Sequence, residues 1–380
     1  MFNLHFLLLS LVLVLPNVYT LTLLSDINAL KAFKASIDPK TISPTSCLAH
    51  WDFSFDPCSL PHRTNFYCGI TCNSDSTRVT SLVLDPVGYS APLLPLLSTL
   101  TELVQIDLSD NSFHGPIPSS FSSLTKLEIL TLRSNSLSGS IPPSLTKLSS
   151  LHSLDLSDNT LTGSLPNSLS FLTNLQLLDV SYNKLSNSLP KLPPNLVQLA
   201  LKSNSLTGSL TQSSFQGLTR LRVVELSDNM LSGVLPGWFF TIPSLQQVDL
   251  ANNRFTRIDI WKPSNSENNL VAVDLGYNQI NGYLPVNLAM FPLLSSLTLR
   301  FNKFHGPIPW QYSNKVTLRR LFLEGNFLNG KVPTGFFSNN REISGSLGNN
   351  CLQSCPVSSE LCLPSQKPRS ICQKVYGKKA

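Results

Sequence analysis

Apolar positions recur along the chain in a fixed block, L-x-x-L-x-L-x-x-N. Ten copies of the block follow one another, and their asparagines are about 24 residues apart, an interval typical of repeat architectures. A near-constant interval over most of a chain indicates that each unit packs on its neighbours. The asparagines are Asn111, Asn135, Asn159, Asn183, Asn204, Asn229, Asn253, Asn278, Asn302 and Asn326.

The alternating leucines of each block predict a short strand that is apolar on one face. Successive blocks then pair as a parallel sheet, and the leucines form one continuous core. We expect the asparagine amide to satisfy backbone groups at the point where the chain leaves the sheet. The x-L-x-G-x-I-P that usually follows predicts tight, extended or 3₁₀ segments with few helices, because proline fixes φ and glycine permits a tight backbone.

A stack of repeats needs sealed ends. Ser25 and Asp26 are candidate N-caps of a helix that ends before Pro39. Its apolar stripe comprises Ile27, Leu30, Phe33 and Ile37. A degenerate repeat at 78–101, with Val87 in place of the asparagine, is expected to join this cap to the array.

Eight cysteines fall into two groups of four, one at each end of the chain. In an exported chain they predict disulfides, and each group leaves three pairings open. Two zinc sites are the alternative, which the absence of paired Cys-x-x-Cys knuckles disfavours. The groups are Cys47, Cys58, Cys68 and Cys72, and Cys351, Cys355, Cys362 and Cys372.

Residues 1–20 are predicted to be a secretory signal peptide, since the apolar run Phe6–Leu15 precedes Pro16. A signal anchor is the alternative, but the run is shorter than the roughly 20 residues that span a bilayer. No later segment predicts a membrane span, and the end of the chain lacks the apolar tail of a lipid-anchor signal. We therefore expect a secreted protein of the apoplast or cell wall.

The formal charge of +6 is concentrated at the C-terminus, where the segment 364–380 contains no acid. The rest of the chain is nearly neutral, which argues against a nucleic-acid partner. The basic tail is either a solvated end or a weak contact for acidic wall polymer or membrane headgroups. Its cations are Lys367, Arg369, Lys374, Lys378 and Lys379.

No catalytic, metal or cofactor site is predicted. The six histidines are dispersed, and no G-x-S-x-G nucleophile motif occurs. Gly325–Lys331 has the spacing of a phosphate-binding loop, but Val332 stands where a magnesium-binding Ser or Thr is needed. These residues also fit the tenth repeat, so we interpret them as repeat consensus.

Exposed strand positions supply the candidate ligand-binding residues. Acidic residues occur at six strand centres, which indicates either a stripe for a metal or cationic ligand or the ordinary L-D-L-S of such repeats: Asp107, Asp155, Asp179, Glu225, Asp249 and Asp274. Aromatic and cationic residues stand beside the strands, and such residues anchor many interfaces, although exposed aromatics also occur without function. These are Tyr182, Lys202, Tyr277, Arg300, Phe301, Arg320 and Phe322. Trp261 joins them from an irregular seventh repeat, Arg257–Pro263, where we expect a bulge.

The x-L-x-G-x-I-P extension resembles the plant-type extracellular leucine-rich repeat. The segment from Trp51 through Asp56-Pro57-Cys58 to Cys68-Gly69-Ile70-Thr71-Cys72 resembles the N-terminal cap of plant receptor-like proteins and receptor kinases. The resemblance covers about Ser25 to Cys372. It implies a right-handed superhelical solenoid with a parallel β-sheet on the concave face, a 3₁₀ or extended convex side and disulfide-bonded caps.

In function, the resemblance implies a non-enzymatic module that binds a protein or peptide ligand, with a membrane receptor kinase as a further expected partner, in receptor-like signalling or defence. Only the segment 341–380 follows Asn340, too short for a kinase domain. One alternative is a polygalacturonase-inhibiting protein, whose last cap usually reads C-L-C-G-x-P-L-P-x-C, unlike Cys351-Leu352-Gln353-Ser354-Cys355. A structural wall protein is the third possibility.

The predicted organisation has four parts. They are the signal peptide (1–20), an N-terminal cap with helix and four cysteines (21–77), one degenerate and ten regular repeats (78–340), and a C-terminal cysteine cap with the basic tail (341–380).

The chain contains no Asn-x-Ser/Thr sequon, and only Asn349-Asn350-Cys351 comes close. We therefore predict little or no N-glycan on the secreted protein. Glycosidase treatment should leave its mass unchanged, and a loss of glycan mass would contradict the prediction.

Overall fold

The computed structural model describes residues 22–58, 69–263, 268–338, 342–356 and 358–377. The predicted signal peptide, Cys68, Lys378 and Lys379 lie outside these ranges. The division of the chain into caps and array remains a prediction.

Short strands dominate the described residues, because each leucine block and most of the extensions that follow form one. In chain order they are β1 (Gly69–Cys72), β2 (Val79–Val83), β3 (Gln105–Asp107), β4 (His114–Pro116), β5 (Ile129–Thr131), β6 (Ser136–Ser140), β7 (Ser153–Asp155), β8 (Thr160–Gly163), β9 (Leu177–Asp179), β10 (Lys184–Asn187), β11 (Gln198–Ala200), β12 (Ser205–Leu206), β13 (Val223–Glu225), β14 (Ser232–Leu235), β15 (Gln247–Asp249), β16 (Arg254–Ile258), β17 (Ala272–Asp274), β18 (Asn281–Tyr283), β19 (Ser296–Thr298), β20 (Lys303–Gly306), β21 (Arg320–Phe322), β22 (Phe327–Lys331), β23 (Ser344–Ser346) and β24 (Cys351–Gln353).

The leucine blocks form one thirteen-stranded sheet in the order β1-β2-β3-β5-β7-β9-β11-β13-β15-β17-β19-β21-β23. All its pairs are parallel except β1 with β2. The central apolar residue of each strand pairs with its counterpart in the next, as Leu130 does with Leu154. The predicted parallel sheet with a continuous leucine core is confirmed.

The extensions form three smaller sheets along the side of the solenoid. Their orders are β12-β10-β8-β6-β4, β14-β16 and β18-β20-β22-β24. In the seventh repeat the pairing of β14 with β16 shifts between Gly233 and Val234, whose partners are Phe255 and Arg257. Thr256 is therefore an extra residue on β16, and this bulge lies one residue before the segment Arg257–Pro263 for which it was predicted.

Helices are few and short in the described chain, as the glycines and prolines of the extensions predict. The α-helices are α1 (Leu24–Ser36), α2 (Gln212–Phe215), α3 (Trp310–Asn314) and α4 (Arg369–Tyr376). The 3₁₀ segments are Pro39–Thr41, Leu48–His50, Pro95–Thr99, Ser119–Ser123, Pro143–Lys147, Leu169–Phe171, Phe239–Thr241, Val286–Met290, Thr334–Phe337 and Glu360–Cys362.

The repeat asparagines form an internal ladder of hydrogen bonds. The amide of Asn253 donates to the carbonyls of Leu226, Leu250 and Ala251 at 2.9, 3.2 and 3.2 Å. Its Oδ1 accepts the N–H of Leu231 at 2.9 Å. One side chain thus satisfies backbone groups of two neighbouring repeats, which confirms the role predicted for it.

The ladder extends one step beyond the ten asparagines found by sequence. Asn350, fully buried, donates to the carbonyls of Leu323, Leu347 and Gly348. Its block retains Leu347 but has Glu342 and Gly345 where others have leucine, so the pattern is not evident in the sequence.

The N-terminal helix differs from the prediction at its start. Its N-cap residue is Leu23 without a side-chain hydrogen bond, so Ser25 and Asp26 do not cap it. Asp26 is instead buried, 3.0 Å from Arg78 Nε, and it accepts the N–H of Val79. The helix therefore joins the array through an ion pair as well as through its buried Leu30 and Phe33.

Disulfides close both ends, as predicted. Cys58 pairs with Cys72, Cys351 with Cys372, and Cys355 with Cys362, while Cys47 is also disulfide-bonded. The C-terminal helix α4 is fixed further by Tyr376, whose hydroxyl accepts the N–H of Gly306 at 3.0 Å and donates to the carbonyl of Phe327.

The asparagine ladder makes a direct prediction about stability. Asn253→Ala should lower the free energy of unfolding by about 3 kcal/mol, because it leaves several backbone groups buried without partners. Asn174→Ala is the matched control, since its exposed amide makes one hydrogen bond, to the carbonyl of Ser149. Equal losses in urea unfolding for the two variants would contradict the ladder's role.

Candidate ligand-binding surface

Besides the residue that begins each strand, three later residues of each repeat line the exposed face of the thirteen-stranded sheet. The first ends the strand, the second follows the next buried apolar residue, and the third precedes the asparagine. Backbone hydrogen bonds hold the third residue of one repeat to the second of the next, as from Tyr277 N–H to the Arg300 carbonyl at 3.0 Å and from Phe301 N–H to Glu324 at 2.8 Å. Side chains at neighbouring positions of successive repeats therefore stand side by side.

The third residue of these repeats adopts a left-handed backbone, with φ of 54° at Tyr182, 53° at Tyr277 and 50° at Phe301. Glycine, asparagine and aspartate tolerate this region, whereas bulky side chains there are uncommon and costly. Other repeats follow the preference, with Asp110, Asp158, Asp228 and Asn252 at the same position. The three aromatics are therefore not what the backbone favours.

Four side chains near the C-terminal end form what we call the aromatic cluster: Tyr277, Arg300, Phe301 and Phe322. The rings of Tyr277 and Phe301 stack with centroids 4.7 Å apart and planes inclined by 13°. The Arg300 guanidinium lies 5.2 Å from the Tyr277 ring centre and 5.8 Å from that of Phe322. Tyr277 and Phe301 remain 46% and 39% exposed, so the stack presents ring surface to solvent.

Two glycines make room for this cluster. A Cβ at Gly325 would lie 2.6 Å from Cδ1 of Phe301, and one at Gly276 would lie 3.1 Å from Cγ of Arg300. Both positions carry larger residues in most other repeats. The rings therefore lie close to the sheet because glycine occupies the neighbouring position.

Glu324 contacts the aromatic cluster through Arg300. Its Oε1 lies 3.7 Å from Arg300 Nη1, and its side chain is only 10% exposed. Its Oε2 and the Nε of Arg300 are both buried without a hydrogen-bond partner in the described chain. Burial raises the pKa of the Glu324 carboxyl above its usual value.

A second group of candidates lies nearer the middle of the sheet. The Lys202 ammonium is 6.0 Å from the Tyr182 ring centre and 3.9 Å from the Asp228 carboxylate. Both side chains border an open hollow of about 700 Å³, which extends towards Asp110 and Arg133 on one side and Asp249 on the other. Arg133 and Asp110 form an ion pair of 2.7 Å that lowers the pKa of Asp110.

The strand-end carboxylates form a row in register. Glu225 pairs with Asp249, and Asp249 pairs with Asp274, on adjacent strands. Burial raises the pKa of Asp179, Glu225 and Asp274. Within the ranges that the structure describes, no three or more His, Cys, Asp or Glu residues are grouped so that they could hold a metal ion.

The structure thus unites some predicted residues and separates others. Tyr277, Arg300, Phe301 and Phe322 meet in the aromatic cluster, and Arg320 is exposed on the same strand as Phe322. Trp261 follows β16 of the two-stranded side sheet, where its 57% exposed ring lies over Gly237, so it is not part of the exposed face of the large sheet.

Sequence reasoning missed Glu324, Gly276 and Gly325. The two glycines could have been found by aligning the repeats, because most other repeats have larger residues at these two positions. Gly325 occupies the same repeat position as Phe301, and Gly276 the same position as Arg300, one repeat away.

Family models for the leucine-rich repeat match residues 194–255, and as single repeats residues 102–124, 126–148, 150–172 and 174–196. The calmodulin-binding receptor kinase CaMRLK of Arabidopsis thaliana is 42% identical over 60 residues, which cover 16% of this chain and 9% of that protein.

Solved structures match over a longer range. The crystal structure of PEPR1–AtPEP1 has a TM-score of 0.75 at 30% identity, covering 87% of this chain and 45% of that one. The plant peptide hormone receptor RGFR1 in complex with RGF2 has a TM-score of 0.64 at 31% identity, covering 69% and 42%. The chain therefore spans less than half the length of these proteins.

The repeats, the solenoid and these matches identify the chain as a leucine-rich-repeat protein of the plant extracellular type. Within that type, the similar proteins include a receptor kinase and a peptide hormone receptor. In the part of the chain that the structure describes, no helix is both long enough and apolar enough to cross a bilayer.

The raised pKa of Asp274 predicts a pH-dependent difference in stability. Because its folded-state pKa lies above the ordinary value of 3.8, ionisation costs stability, and that cost grows as pH rises through the folded-state pKa. Asp274→Asn keeps an oxygen for the N–H of Gly276 and removes the charge. In urea unfolding the variant should be more stable than the wild type at pH 7, and the difference should shrink as pH falls towards 3.8.

Glu128→Gln is the control for this experiment, since Glu128 is exposed outside the row. Its difference from the wild type should stay small at both pH values. A wild type more stable than Asp274→Asn at pH 7 would show that the Asp274 charge is stabilising, contrary to the prediction.

Proposed function

We propose that this chain is an extracellular recognition module that binds a peptide or protein ligand through the exposed face of its large sheet. The residues proposed to contact the ligand are Tyr182, Lys202, Tyr277, Arg300, Phe301, Arg320 and Phe322. Trp261 is proposed as a separate contact on the side of the solenoid.

The observation that carries this proposal is the placement of aromatic rings on left-handed backbone. Tyr182, Tyr277 and Phe301 occupy positions where asparagine would fit with less strain, and two of their rings form an exposed stack. Strain of this kind is associated with functional sites, and exposed aromatic and arginine side chains are typical anchors of interfaces. Aromatic side chains on left-handed backbone lower the stability of the fold. A role of these rings in ligand binding accounts for their presence there.

The similar proteins support the same proposal. One is described as a receptor kinase and another as a peptide hormone receptor. The disulfides of both caps support an oxidising, extracellular compartment. We propose that the protein acts in receptor-like signalling or defence, with a membrane receptor kinase as partner. The polygalacturonase-inhibitor alternative ranks second, because the similar proteins favour receptors.

The test is affinity capture from plant extracellular fluid and membranes with the secreted full chain as bait, followed by identification of partners by mass. Recovery of a small peptide or a receptor kinase would support the proposal. Recovery of a wall-degrading hydrolase that the protein inhibits would replace it with the inhibitor function.

A variant localises binding to the proposed surface. Tyr277→Asn with Phe301→Asn should weaken binding of the captured ligand at least tenfold without lowering thermal stability, because asparagine suits the left-handed backbone. The control is Phe171→Ala, which removes an exposed ring from a 3₁₀ segment away from the large sheet. Unchanged affinity in the double variant, or after Trp261→Ala combined with Arg300→Ala, would rule out the proposed contacts.

A further inference from the structure

The exposed face has an excess of carboxylates between β13 and β19. Its two flanking cations already have acidic neighbours, Lys202 with Asp228 at 3.9 Å and Arg300 with Glu324 at 3.7 Å. Glu225, Asp249 and Asp274 remain between them, in register on three adjacent strands. Within the described chain, none of these three carboxylates forms a salt bridge.

A groove runs beside this row, on the side where the strands begin. Gln247, Ala272 and Ser296, the first residues of three successive strands, line it together with the carboxylates. The three carboxylates also line a hollow of about 230 Å³ that extends to Ser296 and Thr298 on β19. A side chain that enters here meets negative charge along one wall and the small side chains of Ala272 and Ser296 along the other.

The aromatic cluster borders the row at Asp274, since a Cβ at Gly276 would lie 3.1 Å from both Asp274 Oδ1 and Arg300 Cγ. Tyr277 directly follows Gly276 in the chain, and its ring stacks on Phe301 of the next repeat. Such a surface suits an apolar or aromatic side chain, and its ring faces also attract a cation. Inside the cluster, Glu324 is nine-tenths buried with an oxygen that lacks a hydrogen-bond donor. Leaving such an acceptor unpaired is costly, which favours an occupant that brings donors.

We propose that this groove takes an extended basic peptide segment, with a Lys or Arg side chain against Glu225, Asp249 and Asp274 and a neighbouring apolar or aromatic residue on the Tyr277–Phe301 stack. The inference rests on the proposed function, because it states the chemistry of the ligand that the same face binds. Charge complementarity selects this occupant over an acidic or neutral peptide.

The dimensions set the spacing within that segment. Three steps between neighbouring strands separate β13 from β19, which amounts to about 14 Å at the usual spacing of ~4.8 Å. An extended chain covers that distance in about four residues. The basic and aromatic residues of the ligand should therefore lie within about four positions of each other.

The experiment is selection of random dodecapeptides, displayed on phage, against the full secreted chain. Peptides that bind the wild type should be enriched in Lys or Arg with an apolar or aromatic residue within about four positions. Their affinity should fall at least tenfold on the variant Glu225→Gln, Asp249→Asn, Asp274→Asn. It should also fall with added salt, as expected for contacts between charges that water reaches.

The control variant removes the same three charges outside the groove, as Glu128→Gln, Glu342→Gln, Glu360→Gln, all at exposed residues. It should change affinity less than twofold, which separates local recognition from net charge. Selected peptides that are acidic or neutral, or equal losses on the two triple variants, would overturn the inference.

A different result of the same experiment would contradict the proposed function. If peptides of any composition bind the wild type but bind Tyr277→Asn, Phe301→Asn equally well, the exposed face is not the binding surface. If binding needs the two aromatics but the recovered peptides are not basic, the proposed function stands and the basic-ligand inference is wrong.

Discussion

The buried asparagine side chain is the interaction on which the rest of the structure depends. Most of the ladder asparagines donate to three backbone carbonyls and accept one N–H, as Asn159 does with Leu132, Leu156, Ser157 and Leu137. Because these bonds cross from one repeat to the next, they fix how neighbouring strands align. Once the backbone groups of each turn are hydrogen-bonded in this way, the leucines can pack in a core without water. Equivalent side chains of successive repeats then lie next to each other on the surface.

The fold followed from the sequence because its determinants face the core. Buried leucines and asparagines tolerate few substitutes, so their spacing shows in a single chain, and the parallel sheet, the few helices and the disulfide-bonded ends were all predictable. The eleventh ladder residue, Asn350, escaped because its block has lost most of its leucines. Ser25 and Asp26 were assigned to a helix cap, since the pattern does not reveal that Asp26 pairs with the distant Arg78.

The candidate site was predictable only in part. Tyr277, Arg300 and Phe301 stood out as departures from the repeat consensus, but their packing depends on Gly276 and Gly325, whose effect appears only when repeats are side by side. Trp261 departs from the consensus just as clearly, yet its chain segment belongs to a side sheet. Glu324 is charged, buried and bonded weakly to Arg300, a combination that a sequence does not display. Surface residues are constrained by partners rather than by the core, which is why their roles needed the structure.

The central claim is that the ligand lies on the exposed face of the large sheet at the aromatic cluster. Photo-crosslinking tests it most directly, with a photoreactive phenylalanine analogue in place of Phe301 or, in a second protein, of Phe171. We predict that the captured ligand becomes covalently attached at position 301 and not at position 171. Attachment at 171 with none at 301 would place the ligand away from the large sheet and contradict the claim.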